Sequence, residues 1–139
     1  MTLREEVERR ARGRCEYCHS QARFSTQTFA LEHVIPRSRG GHTVTDNLAL
    51  ACQGCNNHKY NRTQWADPAT GRLVPLFHPR RDVRRDHFAW DESFELMVGL
   101  TPVGRATIDA LQLNRQEVVN LRRILYAAGE HPLPEPDAP

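Results

Sequence analysis

Two Cys-x-x-Cys pairs, Cys15/Cys18 and Cys52/Cys55, constrain this chain more than anything else in it. Each pair has the spacing of a knuckle that donates two thiolates, and two knuckles complete one tetrahedral zinc site with no position left open for water. Residues 19–51 must then leave the first knuckle and return to it. Cys15-Glu16-Tyr17-Cys18-His19 also fits a c-type haem attachment pattern, but haem leaves Cys52 and Cys55 unexplained. A thioredoxin-like redox pair needs no second pair, and iron–sulfur clusters favour other spacings. Structural zinc is the reading adopted.

The 139 residues suit a compact domain small enough to benefit from a metal staple. Residues 1–10 are charged and lack the apolar segment of a secretion signal, so a cytoplasmic setting is expected, where paired cysteines favour metal over disulfide. No apolar run approaches the roughly 20 residues of a membrane span, and no membrane partner is expected.

The formal charge of +2 is no argument for a nucleic-acid partner, because four thiolates around a zinc dication carry −2 and cancel it. Local charge is more informative. Arg37 and Arg39, then Lys59 and Arg62, then Arg80, Arg81, Arg84 and Arg85 form clusters poor in acids, and are candidate phosphate contacts.

A helix is predicted from Leu3 to about Arg12, ended by Gly13. Thr28–Ile35 reads as a strand stopped by Pro36, Leu48–Ala51 as a second strand, and Cys55 to about Ala66 as a helix closed by Asp67-Pro68. Leu73–Phe77 and Phe94–Val98 are two further candidate strands, with Pro75 confining the first to an edge. Thr101-Pro102 opens a helix to about Leu111. Asn114-Arg115-Gln116-Glu117 offers a capping box for a last helix with Val118, Leu121, Leu125 and Ala128 on one face. Residues 131–139, rich in proline, read as a flexible tail.

Between and just beyond the cysteine pairs lie Glu32-His33, Asp46-Asn47 and Asn56. Hydrolysis of a phosphodiester needs a base for the attacking water and stabilisation of charge on the phosphate and leaving oxygens. An imidazole of ordinary pKa is largely neutral at pH 7, so His33 is the candidate base. A carboxylate and an amide oxygen, Glu32 and Asn56, are donors that magnesium or manganese accepts. Strand geometry stands against this pairing, since adjacent residues point to opposite faces and Glu32 and His33 converge only across a twist, a bulge or the sheet edge. His58 competes with Asn56, but two residues apart on a helix only one can serve. His42, His78 and His87 are assigned no catalysis.

Residues 31–41, Asp46-Asn47-Leu48 and residues 52–59 resemble the ββα-metal motif of the HNH endonucleases, with Glu32-His33, Asn47 and Asn56 at its characteristic positions. The resemblance implies that His33 activates water, that Glu32 and Asn56 hold a catalytic cation, that Asn47 braces the loop around His33, and that Lys59 reaches a phosphate. Glutamate where aspartate is usual and asparagine where histidine is common are departures from the pattern. Residues 74–80, 87–90 and 99–107 resemble an extension found in bacterial HNH proteins, whose arginines with Phe77, Phe88 and Trp90 could line a groove, although those aromatics read first as core.

The expected protein is therefore α+β: a zinc-stapled ββα-metal nuclease core over residues 1–66, a strand and two-helix extension over 67–130, then the tail. Its expected activity is metal-dependent cleavage of DNA, most readily double-stranded, by a monomer or weak homodimer. The alternative is a zinc-binding nucleic-acid module that has lost catalysis.

Overall fold

A computed structural model describes residues 1–134 of the chain. Helix α1, Leu3–Ala11, starts at a capping box in which the Thr2 hydroxyl accepts from the Glu5 amide and the Glu5 carboxylate accepts from the Thr2 amide. Its buried Val7 and Ala11 face β2. Strands β1, Ala30–His33, and β2, Leu48–Ala51, form an antiparallel pair with Glu32 opposite Ala49 and His33 opposite Leu48. β1 is shorter than the sequence suggests because the chain leaves the sheet at Val34, whose amide bonds to the Asn47 carbonyl. β2 is buried at every position.

Helix α2, Gln53–Lys59, follows directly from Cys52 and ends well short of the predicted Ala66. Tyr60, at φ 51°, ends it, and Gln64–Ala66 is not helix but strand β3, paired with β4, Leu73–Pro75. Pro75 stands last in β4, where it interrupts no interior ladder. The strand placed at Phe94–Val98 is displaced: β6 is Met97–Gly99, paired with β5, Phe88–Trp90, which follows a four-residue helix α3, Arg84–His87. A three-residue aromatic strand is too short to show alternation, and the Asp91 turn between the two strands fixes their register through its side-chain bonds to the Glu95 and Leu96 amides.

Helix α4, Pro102–Leu111, begins at Thr101, whose hydroxyl caps the Gly104 amide. Helix α5, Gln116–Ala127, has Arg115 at its N-cap and no side-chain cap. Asn114 does not cap it; its amide bonds both backbone groups of Met97 and holds β6 instead. The buried face of α5 is Val118, Val119, Arg122 and Leu125, while Ala128 is exposed.

One continuous apolar core joins Val7, Tyr17, Leu48 and Leu50 to Leu76, Phe77, Phe88, Leu111, Leu113 and Val118. Phe77 and Phe88 pack edge to face within it at 5.1 Å, so neither lines a nucleic-acid groove. The start of the predicted tail is not free either: His131 is buried with its ring 4.8 Å from that of Trp90. Residues 135–139 of that tail lie outside the described residues. No helix among the described residues is long and apolar enough to cross a membrane.

Candidate active site

The four cysteine sulfurs lie within 4.8 Å of one another, with Cys18 and Cys52 3.6 Å apart. Tetrahedral zinc with Zn–S bonds near 2.3 Å places its sulfurs about 3.8 Å apart, so the donor set fits the ion. Among the described residues no other cluster of three or more His, Cys, Asp or Glu side chains is placed to hold a metal. Backbone amides of Cys18, Ser20 and Cys55 point at Cys15, Cys18 and Cys52 sulfurs at 3.4–3.5 Å, as suits thiolates. Arg115 adds side-chain bonds at 3.4 Å to the Cys52 sulfur and 3.5 Å to the Cys55 sulfur. Burial disfavours the Arg115 charge, but Cys55, Cys18 and Cys52 raise its pKa overall. Gly54 makes room for this guanidinium: a Cβ there would meet Arg115 Nη2 at 2.5 Å.

The first knuckle is fixed on β2, with the Glu16 amide bonded to the Leu50 carbonyl and the Leu50 amide to the Glu16 carboxylate, each at 2.8 Å. Arg80 pairs with the same carboxylate, and Arg84 donates to the Glu16 and Tyr17 carbonyls. Arg122 donates to the Cys18 carbonyl at 3.1 Å. Arg80 and Arg84 therefore hold the knuckle from within and are not placed as phosphate contacts, in contrast to the reading of the sequence.

The knuckles hold β1, β2 and α2 together, and the strand alternation of β1 then separates the two residues expected to share a site. Glu32 faces inward and is 4% exposed; Tyr17 Oη donates to its Oε2 at 2.7 Å, and Lys59 forms an ion pair with its Oε1. Burial raises the Glu32 pKa, opposed by Lys59 and Tyr17. Burial and the Glu32 charge push the Tyr17 hydroxyl well above its usual range, so it remains the donor. Lys59, 1% exposed, also donates to the Val34 carbonyl at 2.8 Å and is committed to the interior, out of reach of a phosphate. As placed, Glu32 and Asn56 do not form a cation site: the carboxylate is already occupied by an ammonium and a hydroxyl. Asn56 is half-buried on α2, and no side-chain hydrogen bond engages it among the described residues.

His33 lies on the other face of β1, half-exposed, with Nε2 2.8 Å from Thr43 Oγ1. Burial first, then the positive charges of Arg37 and Lys59, lower its pKa below 6.5. The loop between His33 and Thr43 is closed by Asn47, whose Oδ1 accepts from the Ile35 amide at 2.9 Å while Nδ2 donates to the Ile35 and His42 carbonyls at 3.0 and 2.9 Å. The close approach depends on Gly41, where a Cβ would fall 1.7 Å from the Ile35 carbonyl oxygen. Arg37, Arg39, Arg62, Arg81 and Arg85 are exposed, with Arg39 Nε bonded to the Asn61 carbonyl at 3.0 Å. His42 and His58 are exposed, while His78 accepts from the Arg80 amide and His87 pairs with Thr101.

Thr43, Tyr17 and Arg115 carried no signal in the sequence. Each acts through a partner 10 to 63 residues away, and a lone Thr, Tyr or Arg is common on any surface. Gly40-Gly41 is plain in the sequence, but the close contact that requires Gly41 is not.

A metal-stapled ββ pair, an α-helix opening at the last knuckle and a histidine at the end of the first strand define an HNH-type unit, and residues 15–62 match the HNH endonuclease family. The chain is also similar to the Septu protein PtuA of Bacillus mycoides strain KBAB4, at 27% identity over 150 residues covering 90% of this chain. It spans 21% of the length of that relative. No solved structure matches the chain.

Proposed function

We propose that the chain is an endonuclease that hydrolyses DNA phosphodiester bonds with His33 as the general base. The observation that carries the reading is the setting of His33: held at one nitrogen by Thr43, presented by a loop that Asn47 closes, and with its pKa lowered by burial and by Arg37 and Lys59. Among the described residues no hydrogen bond engages Nδ1, which is the nitrogen to take a proton from water. That water attacks phosphorus as the P–O3′ bond breaks. Exposed Arg37, Arg39 and Arg62 supply positive charge for the phosphate backbone. Arg81 and Arg85, also exposed, are further candidate phosphate contacts. Magnesium or manganese is the cation proposed, with Asn56 as its candidate oxygen donor; Glu32 could join only if Lys59 withdrew. One His33 per chain cuts one strand per encounter, so a monomer nicks and a weak homodimer would be needed to cut both strands together.

The occupied Glu32 carboxylate favours a second reading, a zinc-stapled nucleic-acid-binding module without catalysis. Nicking of supercoiled plasmid in magnesium or manganese separates the two. The nuclease reading predicts relaxed circles from the wild type, none in EDTA, and none from His33→Ala. Binding of plasmid without nicking by either protein would favour the module.

A further inference from the structure

Tyr60 sits directly after α2 with φ 51° and ψ −122°, backbone angles that a residue with a Cβ avoids and glycine tolerates. The strain is not a frayed end. The Tyr60 amide bonds to the Asn56 carbonyl at 3.0 Å and the Arg62 amide to the Lys59 carbonyl at 2.9 Å. Nor does the ring stabilise the fold in return. It is 73% exposed, and no hydrogen bond or ring contact involves it among the described residues. A strained, exposed aromatic with no ring contact or side-chain hydrogen bond among the described residues points to use by a ligand.

Its surroundings specify that ligand. Lys59, the preceding residue, reaches the Val34 and His33 carbonyls, which sets the end of α2 against the end of β1 at His33. Arg39 bonds to the carbonyl of Asn61, the next residue, and brings the loop after β1 to the same place. Arg62 lies over the Trp65 ring at 5.1 Å. Residues 33–45 and 56–66 contain no acidic side chain, and Asp109 is engaged by the Trp65 indole, from which it accepts at 2.9 Å, so the two stretches themselves offer a phosphate only positive or neutral groups.

On the reading of the site as a nuclease centre, we propose that Tyr60 is a stacking platform for an unpaired base, beside a backbone held by Arg37, Arg39 and Arg62. The substrate class is then DNA with an unpaired base next to the scissile phosphate. Base faces inside a duplex are covered by their neighbours, whereas an unpaired base offers its face to an aromatic ring regardless of sequence.

The test is binding of fluorescein-labelled single-stranded and fully paired oligonucleotides by anisotropy, in a His33→Ala background that prevents cleavage. Tyr60→Gly is expected to weaken single-strand binding about tenfold, to leave duplex binding within about twofold, and not to lower Tm, because glycine relieves the strain. Tyr60→Trp is expected to retain single-strand affinity. Single-strand affinity unchanged in Tyr60→Gly, an equal loss on both oligonucleotides, or a fall in Tm would overturn the proposal while leaving the nuclease reading standing. Failure of the parent to bind either oligonucleotide would instead remove the nucleic-acid reading of the whole site, and this inference with it.

Discussion

Replacing Lys59 by methionine tests the buried triad of Glu32, Tyr17 and Lys59 on which the placement of His33 depends. The aliphatic stem is retained and the ammonium lost, leaving the Glu32 carboxylate buried with Tyr17 alone. The carboxyl escapes by taking up a proton. From an ordinary pKa of 4.5 this costs at most about 3.4 kcal/mol at pH 7, at 1.36 kcal/mol per unit, because burial already raises the Glu32 pKa with Lys59 in place. Losing the bond from Lys59 to the Val34 carbonyl adds about 1 kcal/mol. The total of at most about 4 kcal/mol agrees with the cost of breaking a buried ion pair. At roughly 3 °C per kcal/mol for a chain of this size, Tm falls by at most about 12 °C at pH 7. In the variant the folded pKa of Glu32 lies above its unfolded value, so the stability of the protonated form is full below about 4.5 and is lost as pH rises. At pH 5 the protonation cost shrinks to about 0.7 kcal/mol and the fall in Tm to about 5 °C. Thermal unfolding followed by circular dichroism from pH 5 to pH 8 measures this, with Glu32→Gln/Lys59→Met as a control whose deficit does not vary with pH. A Lys59→Met deficit below 2 °C, or one flat across that range, would refute the ion pair.

Two further substitutions examine the scaffold. Cys52→Ser leaves three sulfurs of the cluster, and because zinc binding is coupled to folding it is expected to abolish the cooperative thermal transition, as is chelation of zinc from the wild type; an unchanged Tm in either would show that the staple is dispensable. Gly41→Ala drives a Cβ into the Ile35 carbonyl and against Asn47 Nδ2, so the loop carrying Thr43 must shift. A Tm lower by several degrees and plasmid nicking reduced at least tenfold are expected, and wild-type values for both would disprove the close approach.

The cysteine ligands, the β2 boundaries and the start of α4 were legible because each rests on local chemistry: a knuckle spacing, a run of small apolar residues, a capping threonine before proline. The same local reasoning identified the conflict between Glu32 and His33, since strand alternation alone puts them on opposite faces. What it could not supply was the destination of Glu32. Lysine is so regularly solvated that Lys59 reads as a phosphate contact, and only the packing of α2 on β1 shows that its charge is used internally. Arg80 and Arg84 misled in the same way, because their partners on the first knuckle lie more than 60 residues away. The length of α2 was overestimated because Tyr60 adopts angles that its side chain gives no reason to expect.

Most direct for the central claim is the pH dependence of the single-turnover nicking rate on supercoiled plasmid, measured for wild type and His33→Ala at saturating magnesium or manganese. With His33 as base and its pKa lowered below 6.5, the wild-type rate climbs with pH through an acid limb centred below 6.5 and levels near neutrality. His33→Ala loses that limb and is slower by about 100-fold or more. A variant within threefold of wild type, or one that keeps the same acid limb, would show that His33 does not accept the proton.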